Sequence, residues 1–448
     1  MTLLVISPDY ASHLLPLATL GTAWGAAGER VVVATGPSTD GIVRRFGFER
    51  EHFQLGRGSN PGVIRAEDQP RGEDDALRGF FAATRLGAIP TLAFQAAARG
   101  ADLLWEPLTV AREVHRVVER VRPDHVIVDH LAFSARLGLA AAGVPHADVV
   151  LGHPTALTVG DEVYGHPPAW PRRIQPDQES LDNLRRQCEG VRDAFTHEWN
   201  AVLAALDPAA PASDDAFAER GDTLLLNYPG ELHAPERTAL LGRHAFLGSA
   251  VRTEERDAEV DAWLAGSAAP VVYVSLGSFL SVRSDVLARV AEALRGLDVR
   301  VALASGSTPR ESLGPVPPSW LVRPELPQVT LLARSALAVS HGGNNSVTEA
   351  LTAGVPLLLL PMSTDQFAGS AALEAAGLGE ALDPNAADTG ELRDAASRLL
   401  SLGPESAARL ARLSSELTGT PGAQRARAAL LEASHASAGG SPPAGTDG

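Results

Sequence analysis

Ala336 to Gln366, ALAVSHGGNNSVTEALTAGVPLLLLPMSTDQ, reads as one strand, helix, strand unit, and the rest of the chain can be arranged around it. Ala336 to Ser340 is a short apolar run suited to a buried strand, and His341 to Asn345 is a turn containing Gly342 and Gly343. Ser346 to Ala353 has a helical pattern that Gly354 and Pro356 end, and Leu357 to Leu360 is the next strand. A turn running into a helix start leaves unpaired backbone N–H groups and the positive end of the helix dipole above the sheet, which suits a diphosphate. His341, Asn344, Asn345 and Ser346 all carry hydrogen-bonding side chains where a plain connection needs only glycine. Ser346-Val347-Thr348-Glu349 also fits a capping box, which would occupy Ser346 and Glu349 with backbone donors. That alternative leaves His341, Asn345 and the Asp365-Gln366 pair unexplained.

A chain of 448 residues exceeds the size at which a single core keeps growing, so two domains of about 200 residues are expected. Hydrophobic residues make up 45% and charged ones 21%, the balance of a soluble globular protein. The net charge of -16 repels nucleic acid and anionic lipid, and neither is expected as a partner. Cys188 is the only cysteine, which excludes an internal disulfide and any multi-cysteine metal site. The opening MTLLVISPDYASHLL lacks the features of a signal peptide, and no apolar run is long enough to span a membrane. A cytoplasmic location is expected. All 38 basic residues are arginine, and with 42 Gly and 32 Pro this suggests GC-rich coding.

Thr2 to Ser7 reads as a strand, His13 to Ala27 as a helix closed by Gly28, and Arg30 to Ala34 as a second strand, a βαβ opening. Ligands of such sheets bind beyond the carboxyl ends of the strands, where His13 stands. The loop lacks the G-x-G-x-x-G of a dinucleotide oxidoreductase, which counts against hydride transfer. His52 to Gly100 is irregular, with Phe80, Phe81 and Phe94 among charge clusters, and is expected to be a long recognition-bearing connection. Asp129 ends the strand His125 to Val128; it either fixes the tautomer of His13 or caps the following helix. The proline-rich segment Gly152 to Pro176 carries His153, His166 and Trp170 and suits a fixed wall over a pocket. Thr223 to Asn227 is expected as the last strand of the first half, and Val271 to Ser275 as the first of the second.

The pattern His-Gly-Gly-Asn-Asn-Ser-x-x-Glu-Ala, then Gly-Val-Pro and Pro-x-x-x-Asp-Gln, resembles the donor signature of family 1 nucleotide-sugar glycosyltransferases. Four other segments resemble the same family: His13-x-x-Pro-Leu, Pro123-Asp-x-x-x-x-Asp129, Leu276-Gly277-Ser278, and Pro327-Gln328 with its thirteen-residue interval to His341, a bacterial spacing. The resemblance implies an α/β fold of two Rossmann-like, doubly wound domains (GT-B) facing each other across a cleft. It places acceptor binding in 1–248 and donor binding in 249–433; the tail 434–448, rich in Gly, Ser, Ala and Pro, is expected to be disordered.

It further implies His13 as general base with Asp129 as its partner. Donor contacts would come from Ser278, Gln328, His341, Gly343, Asn345, Ser346, Glu349, Asp365 and Gln366. Glu349 would meet the ribose, and Asp365 and Gln366 the sugar hydroxyls. Phe80, Phe81, Phe94, His153 and Trp170 are the candidate acceptor contacts. The implied reaction is inverting transfer of a hexose from UDP- or dTDP-sugar to a small hydrophobic acceptor, without cofactor or metal, by a monomer or homodimer. A nucleotide-sugar 2-epimerase of the same shape, or a silent partner of another transferase, is the competing reading. Two departures stand out: Ser12 replaces the glycine before the base, and Glu325 stands where many relatives stack a tryptophan on the nucleobase, with Trp320 five residues earlier.

Overall fold

Along the first strand Leu3 and Val5 face one layer of core and Leu4 and Ile6 the other, all at most 1% exposed. A strand buried on both faces belongs in a parallel sheet covered by helices on each side. The computed structural model, which describes residues 1–69, 73–99 and 103–438, contains two such sheets. The first has seven strands: β1 (Thr2–Ile6), β2 (Arg30–Thr35), β3 (Glu49–His52), β4 (His125–Asp129), β5 (Ala147–Val150), β6 (Thr223–Leu226) and β7 (His244–Phe246). Their order is β3-β2-β1-β4-β5-β6-β7, every pair parallel. The second has β8 (Val271–Ser275), β9 (Arg300–Ala304), β10 (Leu321–Arg323), β11 (Ser335–Ser340), β12 (Leu357–Leu359) and β13 (Gly379–Ala381). It runs β10-β9-β8-β11-β12-β13, again all parallel.

Three expectations are corrected. The stretch read as irregular from His52 to Gly100 holds two helices, Glu73–Thr84 and Ala88–Arg99, whose small and charged residues weaken the apolar periodicity. The first sheet does not end at β6, because β7 pairs with it over only three residues, too few to give an alternating signal. The final helix, Gly422–Ala438, carries through the first five residues of the expected tail; 439–448 lie outside the described residues. This helix also crosses back to the first half. Ala426 and Leu430 join the core beside Leu14 and Leu17, and Arg427 pairs with Glu29 at 2.8 Å. Among the described residues no helix is long and apolar enough to cross a membrane.

The strand ends position the site. In both sheets the carboxyl edges of the central strands point into the seam between the halves, so the loops after β1, β4, β5 and β6 meet those after β8, β11 and β12. Direct bonds tie the seam. The Asn344 side chain donates to the Leu151 and Asn227 carbonyls at 2.8 Å each, and Arg283 and Asn385 both donate to the Thr84 carbonyl, at 2.8 and 3.0 Å.

Candidate active site

His13 is the third residue of the helix Ala11–Ala26, placed by the turn that follows β1. Its Nδ1 lies 2.7 Å from Oδ2 of Asp129, the last residue of β4, and the other Asp129 oxygen accepts the Leu131 N–H at 2.9 Å. Asp129 is fully buried, whereas the His13 side chain is 27% exposed, so Nε2 is the ring nitrogen left for a substrate. Burial pulls the His13 pKa down, but the charge and hydrogen bond of Asp129 outweigh it and leave the imidazole above its usual 6.5. Burial pushes the Asp129 carboxyl up, and His13, with lesser help from His130 and the Leu131 N–H, more than offsets this and holds it below the ordinary range. Tyr10 stands edge-on to His13 and stacks on Phe279 of the other half, both with centroids 6.1 Å apart.

Across the seam, β11 delivers His341 into a turn and then the helix Asn344–Thr352. The His341 ring is held between two glycines: a Cβ on Gly277 would come within 2.7 Å of it and one on Gly343 within 2.5 Å. Burial pushes its pKa down to about 4, so the ring is neutral at pH 7, and its Nδ1 is buried without a hydrogen-bond partner. Such an orphaned nitrogen at a helix mouth suits an incoming polar ligand. Gly277→Ala should therefore cost about 1–2 kcal/mol, because Gly277 sits at a φ of 70°. It should also displace His341 and weaken UDP or dTDP binding, which calorimetry reads; stability loss with unchanged nucleotide affinity would limit Gly277 to a folding role.

His13, Ser278, His341, Gly343, Asn345, Ser346, Asp365 and Gln366 all line one cleft of about 670 Å³. Gln328 and Glu349 do not reach its wall. Gln328 sits behind Ser346, 3.3 Å from its Oγ, and donates to Glu349 Oε2 at 2.5 Å; Arg252 donates to Glu349 Oε1 at 2.7 Å. Asp365 accepts the backbone N–H of His153 at 2.5 Å, and Gln366 folds back to accept the N–H groups of Met362 and Ser363 at 3.0 and 3.1 Å.

Of the acceptor candidates, Phe80 and Phe94 line the cleft and Phe81, His153 and Trp170 do not. Trp170 packs on Phe367 at 4.7 Å, covering a fully buried ring at the seam, and the His153 ring turns edge-on to Tyr228 at 4.7 Å. Phe81 packs beside Phe80. Sequence reading missed Tyr10, Gln69, Glu73, Gln95, His130, Tyr164 and Phe279, all of which line the cleft. His130 is 3% exposed, its Nδ1 is 3.8 Å from Asp129, and burial pushes its pKa to about 4. Its place just after β4 was the available signal. Trp320, 7% exposed inside the second core, is no platform for a base. Among the described residues no three His, Cys, Asp or Glu side chains gather so as to hold a metal ion.

Residues 194 to 416 match the family model described as UDP-glucoronosyl and UDP-glucosyl transferase. The chain belongs to that family. This family 1 glycosyltransferase is 29% identical to the NDP-glycosyltransferase YjiC of Bacillus licheniformis over 312 residues, 66% of this chain and 71% of that one. Its fold is similar to that of CalG4, the calicheamicin glycosyltransferase, with a TM-score of 0.65 at 19% identity over 98% and 99% of the two chains. It is also similar to the glycosyltransferase VinC in complex with dTDP, with a TM-score of 0.64 at 19% identity over 97% and 100%. The two sheets are thus the two halves of a GT-B glycosyltransferase, an enzyme with a nucleoside-diphosphate sugar as donor.

Proposed function

We propose that the enzyme transfers a hexose with inversion from a UDP- or dTDP-sugar to a hydroxyl of a small, largely apolar acceptor. The observation that carries this is the shared cleft, with His13 on one wall and the helix mouth from His341 to Ser346 on the other. His13 Nε2 takes the acceptor hydroxyl proton, the oxygen attacks the anomeric carbon, and the bond from that carbon to the diphosphate oxygen breaks. Asp129 stabilises the imidazolium so formed. The leaving diphosphate gains negative charge, which the N–H groups and dipole at the start of the helix Asn344–Thr352 offset without a metal.

Ile64, Leu77, Phe80, Phe94, Leu131 and Phe279 supply the apolar wall for the acceptor. CalG4 is named for calicheamicin, and a secondary metabolite of comparable hydrophobicity is the acceptor class proposed for this chain. A thermal-shift screen against UDP, dTDP and their glucose conjugates should show stabilisation by one nucleotide series, since a ligand of the folded state raises apparent stability by mass action. Proton NMR of the product from an α-linked donor should then show a β-linkage, with turnover unaffected by EDTA. Retained configuration, or an epimerised sugar on an intact diphosphate, would overturn the assignment.

A further inference from the structure

Pro16 lies inside the helix Ala11–Ala26 and has no N–H to give the carbonyl four residues earlier, that of Ser12. A helical carbonyl left open beside the cleft needs a donor from elsewhere. The donor comes from the other half of the molecule: Asn345 Nδ2 lies 2.9 Å from the Ser12 carbonyl. Asn345 is itself oriented, because Asn227 Nδ2 donates to its Oδ1 at 3.0 Å. Asn227 is 1% exposed and held on two further sides. Its Oδ1 accepts the Ala250 N–H at 2.8 Å, and its carbonyl accepts from Asn344 Nδ2 at 2.8 Å. A carboxamide carries two N–H bonds, and Ser12 takes one from Asn345. The other is available to a ligand, since Asn345 lines the cleft beside His341 and Ser346.

We propose that Pro16, Asn345 and Asn227 form a positioning relay between the two halves of the site. Pro16 frees the Ser12 carbonyl, Asn345 bridges it to the donor helix, and Asn227 keeps the Asn345 amide the right way round. His13, the next residue after Ser12, is thereby set against the sugar by the same side chain that meets the diphosphate. The relay rests on the transfer chemistry proposed above. None of the three residues touches the reacting atoms through the relay bonds themselves; they act by placing His13.

Two variants test it, read by kcat and KM for release of UDP or dTDP from the glucose conjugates, by nucleotide affinity in calorimetry, and by melting temperature. Asn227→Asp keeps the shape but removes the N–H, so Asn345 must turn its amide toward the carboxylate and present oxygen to the Ser12 carbonyl. Misplacement of this kind should lower kcat by about 100-fold, well beyond the fall in nucleotide affinity that follows from turning the second Asn345 N–H away from the diphosphate. Pro16→Ala restores a helical N–H that competes for the Ser12 carbonyl, and kcat should fall roughly tenfold while the melting temperature holds or rises. A merely structural role does not give falling turnover in a helix that has gained a hydrogen bond. Wild-type kcat in Pro16→Ala, or a loss in Asn227→Asp that only tracks reduced melting temperature, would overturn the relay. A wild-type protein that binds neither UDP nor dTDP would instead remove the transfer chemistry, and the relay with it, before any variant is read.

Discussion

His13→Ala should lower turnover by roughly two to four orders of magnitude while UDP or dTDP affinity stays within severalfold. The imidazole faces the cleft through Nε2 and, among the described residues, makes no hydrogen bond to the second half, so under the proposed mechanism its removal takes away proton acceptance and little else. Asp129→Asn should be nearly as damaging at neutral pH, and its pH dependence is the sharper test. A base works only when unprotonated, so kcat/KM in the wild type rises with pH through the His13 pKa, which lies above 6.5. Of the influences on His13, burial alone lowers the pKa, and both raising ones come from Asp129. With an amide at position 129 the burial effect remains and the rise moves to lower pH, while the weaker base and altered tautomer preference reduce the plateau. A pH profile in Asp129→Asn that keeps the wild-type midpoint would make Asp129 a helix-entry residue whose link to His13 is incidental.

The parts of this enzyme legible in its sequence are those set by local chemistry. Buried parallel strands write themselves as apolar runs, and β1, β4, β8 and β11 are found within about a residue of where those runs predict them. The turn after β11 is visible because glycines and polar side chains interrupt such a run, though it spans only His341 to Gly343, since Asn344 and Asn345 already belong to the helix expected to start at Ser346. What sequence could not give is which side chains a seam between domains would consume. Asn345 looks like a ligand contact and is also bonded to Ser12; His153 looks like a wall residue, yet its backbone meets Asp365 while its ring turns toward Tyr228. Trp170 is spent covering Phe367. The acceptor wall was harder still, because Phe80 and Phe94 lie on two helices that pack across each other, and amphipathic periodicity there is diluted by residues facing the cleft.

The cluster behind Ser346 carries the largest stability effect. Glu349 is 5% exposed, and Arg252 meets it at 2.7 Å with a side chain only 22% exposed. Arg252→Met keeps most of the stem but leaves that carboxylate with no cation and only Gln328 as partner, and it takes a 2.8 Å partner from Glu254, which keeps its bonds from Thr330. Breaking one partner out of a buried pair costs about 3 kcal/mol or more, because the remaining charge stays desolvated. The sign of its pH dependence follows from Glu349. Burial raises its pKa above the ordinary value even with Arg252 and Gln328 pulling it down, so in the pH window between the unfolded and folded values the folded protein holds a proton there that the unfolded chain has released. Stability from this group is therefore lost as pH rises through the folded-state pKa.

Removing Arg252 raises that pKa further. The melting-temperature deficit of Arg252→Met should consequently be largest on the alkaline side and shrink as the medium is acidified toward the Glu349 pKa. A deficit that is the same at both ends would assign the loss to packing of the arginine stem. Gln328 links Glu349 to Ser346 at the cleft wall, so nucleotide affinity should fall along with stability in this variant. Lost stability with intact UDP or dTDP binding would place the cluster outside the donor site.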